Sequence, residues 1–83
     1  MKMRLARLVS IIILLIQHKR ISASKLANIF EVSTRTIYRD IDTINLAGIP
    51  VVAFTGVNGG IEIMEEYKAE IRRAINVSKV YQD

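Results

Sequence analysis

The sequence predicts a small α+β domain, mainly α: three helices, then a two-stranded β-hairpin, then an extra C-terminal helix. Three observations predict it. Ile37, Ile41 and Ile44 recur at spacings of four and three, the apolar stripe of a helix packed on one side. Ser33 stands ahead of that stripe as an N-cap, and Gly48 and Pro50 stand behind it as a stop. Val51–Thr55 and Ile61–Met64 then read as strands around Gly56-Val57-Asn58-Gly59-Gly60, in which Asn58-Gly59 is a hairpin signal. Helices followed by a hairpin in this order make a winged helix-turn-helix.

The first helix is expected from Lys2 to His18. Leu5, Leu8, Ile12, Leu15 and Ile16 form one stripe, and Ile11, Ile13 and Leu14 leave the rest of the cylinder apolar as well. A helix that is apolar nearly all round is usually buried on more than one side, and 83 residues are too few to cover it. A second surface against it is expected, from a twin subunit or a further domain, or else from the C-terminal segment of the same chain. Lys2, Arg4 and Arg7 ahead of Leu8–Ile16 give it the outline of a signal peptide, but Gln17-His18-Lys19-Arg20 stands where small cleavage-site residues belong. The run is also far short of the ~20 apolar residues of a membrane span. An internal helix, with no membrane partner, is the expectation.

Arg20-Ile21-Ser22 reads as an extended link. Ser22 or Ser24 caps a second helix, Ser24 to Phe30, with Leu26, Ala27 and Phe30 facing inward and Val32 in the turn that follows. The third helix runs from Ser33 to Ala47. Pro50 is tolerable at the start of a strand, where it donates no ladder bond. Glu65 to Lys79 reads as a fourth helix with a thin stripe: Tyr67, Ile71, Ala74 or Ile75, and Ser78 on one side, Lys68, Glu70, Arg72 and Arg73 elsewhere. Residues 1–64 are thus expected to form the winged helix-turn-helix and 65–83 a helical linker or dimer arm.

The net charge of +4 favours an acidic partner, and residues 1–20 carry five bases and no acid. Cysteine is absent, which excludes a disulfide framework and a cysteine-ligated zinc site and is compatible with a reducing cytoplasm. His18 is the single histidine and has no cluster of carboxylates around it in sequence, so no metal is expected. The glycines at 56, 59 and 60 lack the spacing and the Lys-Ser or Lys-Thr of a phosphate loop. With no nucleophile–base pair and little room for a pocket, no enzyme, catalytic residue or cofactor is expected.

At about 100° per residue, Arg35 and Arg39 point nearly opposite to Ile37, with Tyr38 off to one side. A short helix pinned from behind, with arginines on its N-terminal half, suits the DNA major groove. Arg35, in the first turn, is the expected base reader, since its guanidinium matches guanine O6 and N7. Arg39, one turn deeper, reads a base or binds phosphate. Tyr38 touches a thymine methyl, donates to a phosphate, or packs against the wing. Thr34 and Thr36 flank the helix start as phosphate ligands, and Ser33 among them caps. Lys25 is expected on a phosphate, because the second helix of such a motif crosses the backbone. The wing offers Asn58 and backbone N–H groups. Lys2, Arg4, Lys19 and Arg20 are weaker candidates, each alone more often a solvated charge. Asp40 lies about 60° from the core direction, where a carboxylate is costly unless paired; an ion pair or a bond from a backbone N–H is expected. Asp42 is expected to repel phosphates where the helix leaves the groove.

Arg35-Thr36-Ile37-Tyr38-Arg39-Asp40-Ile41-Asp42, preceded by Val32-Ser33 and followed by Ala47-Gly48-Ile49-Pro50-Val51, resembles the N-terminal DNA-binding domain of WYL-domain transcriptional regulators, relatives of the DeoR-type winged helix proteins. The resemblance runs from about Met3 to Met64. It implies a bacterial transcription factor that reads DNA with the helix holding Arg35 and Arg39. Such regulators usually continue into a large C-terminal domain with a Trp-Tyr-Leu motif, of which these residues contain nothing. The resemblance therefore implies either a piece of a longer regulator or a short relative. The wing of that family is often arginine-rich, whereas Thr55–Gly60 contains no base.

The expected function is that of a sequence-specific DNA-binding domain of a cytoplasmic, nucleoid-associated transcriptional regulator, with helix 33–47 in the major groove of double-stranded DNA. One short helix reads few bases, so a homodimer on paired half-sites is expected, formed through the first helix or a C-terminal region. The competing reading is a protein-interaction module. The base-free wing and the apolar first helix fit it; the Arg35–Arg39 pair argues against it.

Overall fold

The computed structural model describes residues 2–82, with side-chain surroundings for residues 3–74. The side chains of Lys2, Ile75, Ser78 and Lys79, named above, lie outside that description. The element order is α1 (Lys2–Gln17), α2 (Ala23–Phe30), α3 (Thr34–Leu46), β1 (Val51–Phe54), β2 (Gly60–Ile63) and α4 (Glu65–Gln82). Four helices and one antiparallel hairpin in this order constitute a winged helix-turn-helix.

The core joins Ile11 and Leu15 of α1, Leu26 and Ala27 of α2, Ile37, Ile41 and Ile44 of α3, and Val51, Ile61 and Ile63 of the hairpin. Leu8, Ile12, Leu14 and Ile16 pack at its margin, while Leu5, Val9 and Ile13 are exposed. The inward stripe of α1 is therefore centred on Ile11, with Arg4, Arg7, Leu8, Leu14 and Leu15 within about 60° of it. The stripe read through Leu5 and Ile12 is rotated off this line. A cylinder apolar on nearly every side does not specify which side faces inward.

The local signals at α2 and α3 act as their chemistry requires. Ser22, rather than Ser24, caps α2, its Oγ accepting from the Lys25 amide at 3.0 Å. Glu31 closes that helix in the left-handed region at φ 57°, and the Val32 amide donates back to the Ala27 carbonyl. Ser33 caps α3 by accepting from the Thr36 amide at 3.1 Å, and Gly48 turns the chain out of α3 at φ 98°. The Asn45 amide side chain then holds the start of β1 from both sides. Its Nδ2 donates to the Val51 carbonyl at 3.1 Å, and its Oδ1 accepts from the Val51 amide at 3.0 Å. This fixes where the hairpin leaves α3.

The hairpin pairs Val51 with Ile63 and Phe54 with Gly60, so residues 55–59 form its loop. The turn expected over Gly56–Gly60 lies one residue earlier, and Asn58 and Gly59 are its last two residues. The left-handed residue is Gly56, at φ 99°, and the loop closes when the Gly59 amide donates to the Gly56 carbonyl at 3.0 Å. Gly59 is needed for space, because a Cβ there would collide with the Phe54 carbonyl. The link before α2 joins this hairpin: Ile21 exchanges both backbone hydrogen bonds with Ile61, at 3.0 and 2.7 Å.

The first turn of α4 is packed onto the domain. Tyr67 lies against the core. Lys68, placed by the sequence pattern away from the apolar side, is only 2% exposed. Its ammonium donates to the His18 carbonyl at 3.0 Å, at the carboxyl end of α1, and stands 3.7 Å from Glu65. A cation there complements the negative end of the α1 dipole. The long aliphatic stem lets a charged residue serve as part of the packed surface.

Candidate nucleic-acid interface

Burial of Ile37, Ile41 and Ile44 fixes the rotation of α3 about its axis. Arg35, Arg39 and Asp42 are consequently exposed on its outer side, and Tyr38 is half-exposed. Among the described residues, no acidic group pairs with Arg35, Arg39, Arg4 or Lys25. Two clefts flank this helix, one towards the wing and one towards α1.

The wing-side cleft, of about 490 Å³, is bounded by Ser22–Ser24 at the start of α2, by Thr34 and Tyr38 of α3, and by the wing from Phe54 to Val57 with Gly59 and Gly60. Thr34 and Tyr38 thus share one opening with the N-terminus of α2, whose free amide groups favour an anion. Ser33 is part of the same helix start, but its hydroxyl is engaged with the Thr36 amide and lies 3.1 Å from the Thr36 hydroxyl. Lys25 is exposed and lies around the corner, in a shallow depression shared with Arg20 and His18. Asn58 is exposed at the wing tip beside the fully exposed Val57.

The wing contains no base, yet one is placed beneath it. Arg20 donates from Nε to Glu62 at 2.8 Å and from Nη1 to the Asn58 carbonyl at 2.6 Å, with its guanidinium 4.2 Å from the centre of the Phe54 ring. A planar, multi-donor group is suited to such simultaneous contacts. No local pattern marks this role, because Arg20 is remote in sequence from each partner.

The α1-side cleft is smaller and cationic, bounded by Arg4, Arg7, Thr36, Arg39 and Asp40. Asp40, 1% exposed, accepts from Arg7 Nε at 2.5 Å and from Arg7 Nη2 at 3.1 Å. This is the ion pair that the position of Asp40 in the sequence calls for, supplied by α1. Hydrogen bonding to Asp40 raises the Arg7 pKa above its ordinary value; burial opposes the shift and the Asp40 charge adds to it. Arg4 donates to the Thr43 hydroxyl at 3.1 Å, and that hydroxyl donates to the Arg39 carbonyl at 3.0 Å. Among the described residues no group of His, Asp and Glu could hold a metal ion, and no helix is long and apolar enough to cross a membrane.

A hairpin behind a capped helix that presents two arginines outward defines a protein of the helix-turn-helix class. The family model described as an HTH domain matches residues 7–62, and the chain belongs to that family. It is 57% identical over 68 residues to a curated relative, the uncharacterized HTH-type transcriptional regulator YobV of Bacillus subtilis (strain 168). The alignment takes in 82% of this chain and 22% of YobV, so the chain spans about a fifth of the length of that relative. No solved structure matches the chain.

Proposed function

We propose that this chain is the sequence-specific DNA-binding domain of a transcriptional regulator, with α3 in the major groove of double-stranded DNA. The observation that carries the reading is the pair Arg35 and Arg39, exposed and, among the described residues, without an acidic partner, on the side of α3 turned from Ile37, Ile41 and Ile44. In this reading Arg35 grips a guanine, and Arg39, one turn on, reads a base or binds phosphate. Thr34, Thr36, Tyr38 and Lys25 hold backbone phosphates, Ser33 orders the helix start, and Asn58 meets the neighbouring groove from the wing.

The similarity to an HTH-type transcriptional regulator supports this role. The string RTIYRDI, with Gly48-Ile49-Pro50-Val51 and the wing glycines, supports placing the chain among WYL-domain, DeoR-like regulators of the bacterial cytoplasm. A homodimer is part of the proposal. Leu5, Val9 and Ile13 leave an exposed apolar stripe on the outer side of α1, and the part of 65–83 that follows Tyr67 and Lys68, which pack on the domain, supplies an alternative arm.

Selection of bound duplexes from a random library tests the proposal. The expected result is an enriched motif that disappears in an Arg35→Ala, Arg39→Ala variant; two inverted copies of it would give the dimer and its spacing. Arg35→Ala alone is expected to cost ~1–3 kcal/mol and to relax the preference at one base pair. Equal loss on selected and random DNA would contradict base reading.

A further inference from the structure

We infer that Arg4 and Arg39 form a grip for one DNA backbone phosphate, on the side of α3 away from the wing. The inference rests on the DNA-binding reading above and adds to it a contact made by α1.

The argument begins with the inward stripe of α1. From Leu15 back through Ile11 and Leu8 the stripe is apolar, but at Arg7 and Arg4 it turns to guanidinium groups where α1 crosses α3. The two arginines have different fates. Arg7 is bound at both ends of the Asp40 carboxylate, so its charge is spent within the protein. That buried pair also fixes the first turns of α1 across α3. Arg4, one turn earlier, is thereby laid on Thr43, and Thr43 is bonded to the backbone of Arg39.

Arg4 is thus held by a neutral hydroxyl rather than by an acid. Among the described residues no acid compensates its charge, and a guanidinium with five N–H donors keeps most of them free. Arg39 borders the same cleft and also lacks an acidic partner among the described residues. Two uncompensated guanidinium groups around one opening repel each other unless an anion sits between them, and paired N–H donors match phosphate oxygens. The Thr36 hydroxyl lies at the same opening, whereas Asp42 does not border it. Position also selects the source of the phosphate. Arg35, in the first turn of α3, faces base edges, while Arg39 and Thr43 lie successively further along the helix, where it leaves the groove beside a strand.

Phosphate contacts carry no sequence information, and each one lost lowers the slope of log affinity against log salt by about 0.9. The test measures binding to the selected duplex and to a random duplex over a salt series, for the wild type, Arg4→Gln, Arg4→Lys and Arg39→Gln. Arg4→Gln is expected to weaken both duplexes by the same factor and to reduce the slope by about one phosphate. Arg4→Lys is expected to keep the slope, and Arg39→Gln to reproduce the Arg4→Gln behaviour with no further slope change when the two are combined. Thermal unfolding checks that the variants are folded; one that unfolds is replaced by Arg4→Met or Arg39→Met, which keep an apolar stem without the charge. An unchanged slope in Arg4→Gln, while Arg35→Ala still relaxes specificity, overturns the grip and leaves the DNA reading standing. Loss confined to one duplex sequence also overturns it, because it would mean base contact. Absence of DNA binding by the wild type overturns both.

Discussion

On its α1 side, α3 is held by a charge pair whose carboxylate is cut off from water: the side chains of Arg7 and Asp40 are 16% and 1% exposed. On the wing side the comparable pair, Arg20 with Glu62, is 31% and 15% exposed and remains in contact with solvent. The chemistry is the same and the consequences differ through desolvation. Removing Arg7 strands the Asp40 charge in a poorly polarisable interior and costs about 3 kcal/mol, while pairs that stay in contact with solvent are worth about 0–1 kcal/mol. The first pair sets the position of α3 against α1. The second steadies a glycine-rich loop that carries no charge of its own.

The largest expected effect tests the α1 side. Arg7→Ala is expected to destabilise the domain by about 3 kcal/mol, read by urea or thermal unfolding, because Asp40 is left buried and unpaired. Replacing both members, as Arg7→Met with Asp40→Leu, is expected to restore most of that loss. If Arg7→Ala were no more harmful than Arg20→Ala, the contrast between the flanks would collapse. Because the Arg7 pKa is raised, its contribution is complete below its unfolded value and lost only as pH rises through the still higher folded value. Unfolding free energies compared between wild type and Arg7→Ala should differ by a constant amount from about pH 7 to pH 10.

Gly59→Ala comes next. The added methyl meets the Phe54 carbonyl, so the loop must shift, at a cost of about 1–3 kcal/mol. Amide exchange should accelerate in β1 and β2 and stay unchanged in α3; acceleration in α3 would mean that the wing is no separate unit. The smallest effect is expected from Arg20→Ala, about 1 kcal/mol or less in stability, since both its ion pair and its contact with Phe54 are partly solvated. A larger loss would move the wing brace into the same class as the α1 clamp.

Much of the fold is legible in the sequence because its signals are local. Ser33, the Ile37–Ile41–Ile44 stripe, Gly48 and Pro50 each act over a few residues, and together they place α3 and the strand after it. The outer position of Arg35 and Arg39 follows from that stripe alone. What is not legible depends on distant partners. The sequence shows that Asp40 needs a counter-charge but not that Arg7 supplies it, nor that Arg20 reaches under a wing that has no base. The inward side of α1 is hidden by its excess of apolar residues. Lys68 is hidden by its own charge, which reads as solvent-facing although its stem is buried. The Asn58-Gly59 signal does mark a hairpin, while the position of its loop follows from the register that Ile61 and Ile63 impose by facing the core.

The bond from Lys68 to the His18 carbonyl has a consequence for the order in which the domain assembles. Contacts between α2 and α3 join neighbouring segments and close small loops, which is fast. The end of α1 waits for a residue 50 positions further along the chain. That end is therefore completed late, after the hairpin that lies between His18 and Lys68 in the sequence. In a Lys68→Met variant, whose stem still packs, the refolding rate should be nearly unchanged and the unfolding rate higher, which is the kinetic mark of a contact made after the barrier.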